Sequence, residues 1–140
     1  MSVEVTVVAP ASPERTWERW TRFAEWPDWN PHCIEARLDG PLAPGSELDL
    51  HLRHPRGRDF YSRPRLTAVE PDSAIAWEAR APLLRASVRT TLQSEPDGTR
   101  VILRSASRGR LAFAYRMTLT ERAQAVMYVG MLDALSASLR

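Results

Sequence analysis

Lysine is absent from this chain of 140 residues, and all 19 of its basic side chains are arginine. Without a side-chain amine the protein cannot form a lysine Schiff base, hold pyridoxal phosphate covalently or set a Walker lysine on a phosphate. Cysteine is nearly absent too. Cys33 stands alone, which excludes an intramolecular disulfide and a multi-cysteine zinc site. No apolar stretch nears the roughly 18 to 20 residues of a membrane span. The N-terminus MSVEVTVVAPASPER has a short apolar run with no basic stretch before it, unlike a signal peptide. A cytoplasmic location and no membrane partner are the expectation. Net charge is only +2, and the arginines are spaced singly rather than massed on one helix. A nucleic-acid partner would want a continuous basic face, so none is expected.

What the chain does have is tryptophan in one place. Four of its 5 tryptophans fall in WERWTRFAEWPDWNP, between Trp17 and Pro31. Tryptophan is bulky, costly to hydrate and carries one N–H that wants a partner when buried. The cluster must anchor a core or border a cavity that receives an apolar guest.

The 11 prolines and 6 glycines punctuate the rest. Residues 2–9 (SVEVTVVA) alternate and are rich in valine, which predicts a strand. Ser12-Pro13-Glu14 then predicts a helix start, with Ser12 as N-cap and Pro13 at the first helical position. A second short helix is expected from Phe23, and Pro31 bars helix after Asn30. From Cys33 to Arg108, turn signals at hairpin spacing separate six period-two runs. Leu48, Leu50 and Leu52 alternate with charge in one, Val101 and Leu103 in another. The chain closes on a long helix, with Thr118 and Glu121 as a capping box. Ala123, Val126, Met127, Gly130, Met131, Ala134 and Leu135 recur at helical spacing. The opposite side, with Tyr128, Val129 and Leu132, is also apolar, which suggests a homodimer contact. The expected fold is α+β, one domain over residues 1–140. It has a curved seven-stranded antiparallel sheet around the long C-terminal helix, with two short helices after the first strand.

Several local patterns, taken in order, resemble one known family. They are Ala11 to Trp17, Trp29-Asn30-Pro31, Pro44-Gly45 leading into a strand, Arg65-Leu66 through Glu70-Pro71, Ile75-Ala76-Trp77, and Gly98-Thr99-Arg100-Val101. Together they resemble the START-like or SRPBCC superfamily, with the helix-grip fold of the birch-pollen allergens. Within it the likeness is to bacterial polyketide cyclase/dehydrase-type proteins. The resemblance implies an elongated cavity between sheet and helix for a hydrophobic or polyketide-like small molecule, with no metal and no cofactor. Departures are also visible. Ser105 stands where many relatives carry an acid, and Val88 and Thr90 replace common aromatic or histidine positions. The cavity wall is therefore expected to be apolar with hydroxyls.

Four groups of residues are candidates for chemistry. Trp29 and Asn30 either meet a ligand carbonyl at the cavity mouth or hold a turn and pack. Tyr61, Arg63 and Arg65 share one strand face. Pointing inward, they would stabilise an enolate and deliver a proton; with Leu66 inward instead, they form a solvated outer row. The Leu66-inward register agrees with the family resemblance, and a bulge near Ala68–Val69 is a feature that would shift it. His32 is the histidine nearest the presumed mouth and the candidate proton carrier; no histidine spacing supports a metal. Met127 and Met131 offer an adaptable wall. Ligand-lining positions are then Trp29, Asn30, Leu50, Leu66, Trp77, Thr90, Ser105, Met127 and Met131. The expected function is binding of an apolar carbonyl-bearing intermediate and promotion of its cyclisation or dehydration. The alternative is a non-catalytic binder or carrier of a hydrophobic metabolite or lipid.

Overall fold

The valine alternation of the first segment forms β1 (Ser2–Ala9), which buries Val3, Val5 and Ala9 and exposes the residues between. A computed structural model describes residues 2–56 and 58–140, apart from the side chains of Arg116 and Thr118. One of the expected hairpin turn signals, Pro55-Arg56-Gly57, ends on Gly57, outside the described residues. Helix α1 (Pro13–Thr21) follows with the expected start: the Ser12 hydroxyl accepts from the Arg15 N–H at 3.2 Å. A single 3-10 turn (Phe23–Glu25) leads into the short α2 (Trp26–Trp29).

The sheet is antiparallel throughout. Its strands are β2 (Cys33–Asp39), β3 (Glu47–Leu52), β4 (Phe60–Ser62), β5 (Arg65–Glu70), β6 (Ala74–Ala81), β7 (Leu84–Glu95) and β8 (Gly98–Arg108), with β1 beside β8. Seven of them form one continuous ladder in the order β1-β8-β7-β6-β5-β3-β2. The three-residue β4 is an eighth strand off this path, paired with β3 ahead of Pro64. Proline has no N–H for a ladder, so a break there is expected. Two helices complete the chain: α3 (Ala112–Thr118), which the sequence pattern did not suggest, and the long α4 (Glu121–Ser138). The N-cap of α4 is Thr120 rather than the expected Thr118, which closes α3; the Thr120 hydroxyl accepts from the Ala123 N–H at 3.1 Å.

Helix α4 lies beside β1 and reaches α2, with its buried side turned to the inner face of the sheet. That side is Ala123, Gln124, Met127, Tyr128, Met131, Leu132 and Leu135, whereas Val126 is 51 % exposed. The helix is therefore rotated from the expected stripe. Of Tyr128, Val129 and Leu132, read from the sequence as a dimer face, Tyr128 and Leu132 are buried within this chain and Val129 is exposed; Val126, read as core, faces out.

Five aromatic rings pack where α1, α2 and β6 meet. Trp26 stands 4.7 Å from Trp20, 5.3 Å from Phe23, 5.9 Å from Trp29 and 6.3 Å from Trp77 between ring centroids. Its indole N–H donates to the Trp20 carbonyl at 2.8 Å. Nearby Cys33 is buried, and desolvation pushes its thiol up to about 11. Almost no thiolate exists at neutral pH, and the thiolate is the nucleophile. Iodoacetamide at mildly alkaline pH is expected to leave Cys33 unmodified in the native protein and to alkylate it fully in denaturant, read by intact mass.

Candidate functional site

Strand alternation decides what faces α4. Leu48, Leu50 and Leu52 on β3 are buried, as are Leu66 on β5 and Trp77 on β6. Leu66 is directly opposite Trp77, Trp77 is opposite Val88, and Val88 is opposite Ser105. Opposed residues share a sheet face, so these four form one inward row across four strands. Ile75, Thr90 and Leu103 form a second such row. Met127 and Met131, both buried, come from the helix side. The fold thus gathers Leu50, Leu66, Trp77, Thr90, Ser105, Met127 and Met131 in the layer between sheet and helix. Thr90 is 1 % exposed and its hydroxyl has no hydrogen-bond partner among the described residues.

A polar chain crosses the same layer. The Ser105 hydroxyl donates to Gln124 Oε1 at 2.9 Å, and Gln124 Nε2 donates to the Leu119 carbonyl at 2.9 Å. Ser105 also hydrogen-bonds the Tyr128 hydroxyl. Burial pushes the Tyr128 phenol far above its ordinary value, repulsion between its ionised form and that of Tyr115 pushes the same way, and the Ser105 bond opposes both. Burial likewise raises Tyr115. Both phenols stay protonated at physiological pH and can act as hydrogen-bond donors. Sequence reasoning missed Gln124, Tyr128 and Tyr115. The signal available was an amide and two phenols in an otherwise apolar C-terminal run.

At the end of the layer held by α2, Asn30 is 1 % exposed. Its Oδ1 accepts from the His32 N–H at 2.9 Å, so it does hold the turn before β2. That bond orients the amide and leaves Nδ2 without a partner among the described residues, beside an equally unpaired Trp29 indole N–H. His32 is half-buried and packs on α4 at Gly130. A Cβ on that glycine would lie 2.5 Å from His32 Nε2.

Tyr61, Arg63 and Arg65 stand elsewhere, on the outer face of the sheet. Leu66 points inward, which turns Arg65 outward. The bulge does exist, between Leu66 and Ala68, but it lies after these residues and leaves their register unchanged. Tyr61 is 79 % exposed and stacks at 4.0 Å on His51, its ladder partner. Arg63 contacts Asp39 and Asp49 at 3.1 Å each and also pairs with Glu47, which Arg65 reaches at 3.2 Å. Hydrogen bonds from Arg63 and then Arg65 hold the Glu47 carboxyl below its usual range. The face is a solvated ion-pair network, and such pairs contribute little stability. Among the described residues, no three His, Cys, Asp or Glu side chains are grouped to hold a metal, and no helix is long and apolar enough to cross a membrane.

A protein-family model described as polyketide cyclase/dehydrase and lipid transport matches residues 1–140. No curated protein matches the sequence. Among solved structures, the two-domain aromatase/cyclase StfQ of the steffimycin biosynthetic pathway superposes with a TM-score of 0.78 at 14% identity; the match covers 99% of this chain and 50% of that one. The chain therefore spans half the length of that relative. The Zhui aromatase/cyclase of Streptomyces sp. R1128 gives 0.80 at 17% identity, covering 99% and 93%. A START superfamily protein of Mycobacterium smegmatis gives 0.78 at 17% identity, covering 99% and 96%. At such identities these likenesses speak for the fold alone.

Proposed function

This chain belongs to the polyketide cyclase/dehydrase and lipid-transport family, and we propose from that premise that it takes an apolar, carbonyl-bearing intermediate between sheet and α4. There it promotes cyclisation or dehydration by holding the guest in a reactive conformation and excluding water. One observation carries this reading. Thr90, Ser105 and Gln124 put two hydroxyls and an amide into the apolar layer between sheet and α4, and the buried Thr90 hydroxyl has no partner among the described residues. A buried unpaired donor costs free energy, and a carbonyl oxygen from a guest relieves it. Thr90 is then the group that polarises the carbonyl. His32 beside α4 is the candidate to carry a proton. The same hydroxyl-and-amide lining favours a second reading, that of a carrier, because retention of an apolar guest needs no charged acid or base.

Native mass spectrometry of the purified protein is expected to find a retained small molecule and to read oligomeric state in the same spectrum. With that molecule in hand, Thr90→Val should weaken its binding about five-fold, the value of roughly 1 kcal/mol for one hydrogen bond. Turnover that falls in Thr90→Val and His32→Asn supports the cyclase; retention without turnover assigns the carrier. Turnover that responds to Tyr61, Arg63 or Arg65 but not to Thr90 would sink the interior site altogether.

A further inference from the structure

Residues 79–94 and 98–120 contain no aspartate or glutamate, yet they carry eight arginines. The fold brings three of these together. Arg80 is directly opposite Arg85, and Arg85 directly opposite Arg108, across β6, β7 and β8. Directly opposed like charges destabilise a sheet. Glu78 is the carboxylate beside this row. It pairs with Arg80, which chiefly holds its carboxyl low, with smaller contributions from Arg85 and Arg108. Arg85, Arg108 and nearby Arg110 are exposed, and beyond the longer-range influence of Arg85 and Arg108 on Glu78 they make no ion pair within 4 Å among the described residues. The outer-face arginines farther along the sheet differ: Arg63, Arg65, Arg89, Arg100 and Arg104 each have a carboxylate.

Large apolar side chains stand free at the same end. Leu83 is 56 % exposed, Leu111 42 %, Phe113 58 % and Met117 76 %. Phe113 and Met117 are four apart and share one side of α3. Leu83 sits at the β6–β7 turn with φ +64, a conformation that suits asparagine or glycine and is costly for leucine. It therefore carries both a backbone and a hydration cost. The turn is also clamped. The Leu111 N–H donates to the Leu83 carbonyl at 2.9 Å, and a Cβ on Gly109 would lie 2.3 Å from that same oxygen. The turn and α3 thus form one apex, at the end of β8 away from α1.

We propose that this apex docks on an anionic phospholipid surface. Leu83, Leu111, Phe113 and Met117 enter the acyl boundary, and Arg80, Arg85, Arg108 and Arg110 take the phosphates. A guanidinium fork matches phosphate geometry, and lipid phosphate supplies the close anionic partner that Arg85, Arg108 and Arg110 do not have. Exposed large apolar side chains set beside arginines suit an anionic bilayer, which takes up both, better than the polar surface of an acidic protein. The inner sheet face at this end carries Ala79, Ala81, Ala86 and Ser107 together with Leu84, which is directly opposite Ala81. Absence of a spanning helix does not bear on such peripheral contact.

The test is co-sedimentation with vesicles of phosphatidylcholine alone or with one part in three phosphatidylglycerol. The protein is expected to partition onto the anionic vesicles only, and to leave them as salt rises. Arg85→Gln/Arg108→Gln should lower partition about thirty-fold, at about 1 kcal/mol per arginine near the surface. Arg15→Gln, at the far end, should not change it. Leu83→Asn separates docking from folding: it should weaken partition while raising the melting temperature, because asparagine accepts the left-handed turn. Phe113→Ser/Met117→Ser should weaken it with melting unchanged. No binding, equal binding to neutral vesicles, or an Arg85/Arg108 variant that binds as before would overturn the proposal. Retention on a soluble polyglutamate matrix without vesicle binding would assign the apex to an acidic protein instead, and overturn it equally.

Discussion

Trp26→Ala is expected to lower the unfolding free energy by about 3 to 5 kcal/mol, the range for truncating a large buried aromatic. Trp26 is fully buried, contacts four other aromatic rings, and ties α2 to α1 through its N–H on the Trp20 carbonyl. Truncation removes the packing of all four neighbours at once and leaves that carbonyl unpaired. In a domain of this size the melting temperature should fall by on the order of 10 °C. Trp29→Ala is the matched comparison. Trp29 is only half-buried and its indole N–H makes no bond among the described residues, so its removal should cost less than half as much. Paired denaturant titrations measure both. Equal losses would mean that Trp29, not Trp26, holds the helices on the sheet.

Gly98→Ala is the second large effect, and its cause is backbone rather than core. Gly98 has φ +151, and a Cβ there would lie 1.9 Å from the Ala9 carbonyl oxygen and 3.3 Å from the Pro10 Cα. Neither neighbour is a flexible side chain, so the end of β1 must move. That movement pulls on the bond from the Thr99 hydroxyl to the Ala11 carbonyl, 2.7 Å and buried, which fixes the chain just ahead of α1. Backbone strain and overpacking together should cost roughly 3 to 5 kcal/mol. Gly45, at φ +101 with nothing within 4 Å of a built Cβ, isolates the conformational part. Gly45→Ala should cost roughly 1 to 2 kcal/mol. If the two variants melt alike, the close approach at Gly98 contributes nothing.

Much of the architecture was legible because its causes are local. Ser12 and Pro13 start a helix wherever they fall before an amphipathic run, and valine alternation makes a strand before anything packs on it. The order of strand, short helices, antiparallel strands and long helix follows from such signals. So does the sharing of one face by Leu48, Leu50 and Leu52. The side of the sheet occupied by Tyr61, Arg63 and Arg65 was narrowed to two registers, and a buried Leu66 selects the outer one. Alternation states which residues share a face; only burial of that face against a partner states which way it points.

Tertiary structure alone decided the rest, for identifiable reasons. Helix α4 is apolar nearly all round, so its sequence does not fix its rotation. Its orientation goes with what the sheet offers: a Ser105 hydroxyl that donates to Gln124 and bonds Tyr128 in the interior, while Val126 faces outward. Helix α3 is seven residues long, below the length at which periodicity is readable. The arginine row at the apex has no sequence signature at all, because Arg80, Arg85 and Arg108 become neighbours only through hairpin register. By itself the sequence determined the elements, the composition of their faces and the chemistry excluded by a lack of lysine. The contacts between distant faces, and with them both the interior hydroxyls and the exposed basic apex, needed the folded chain, since long-range register and helix rotation are properties of packing.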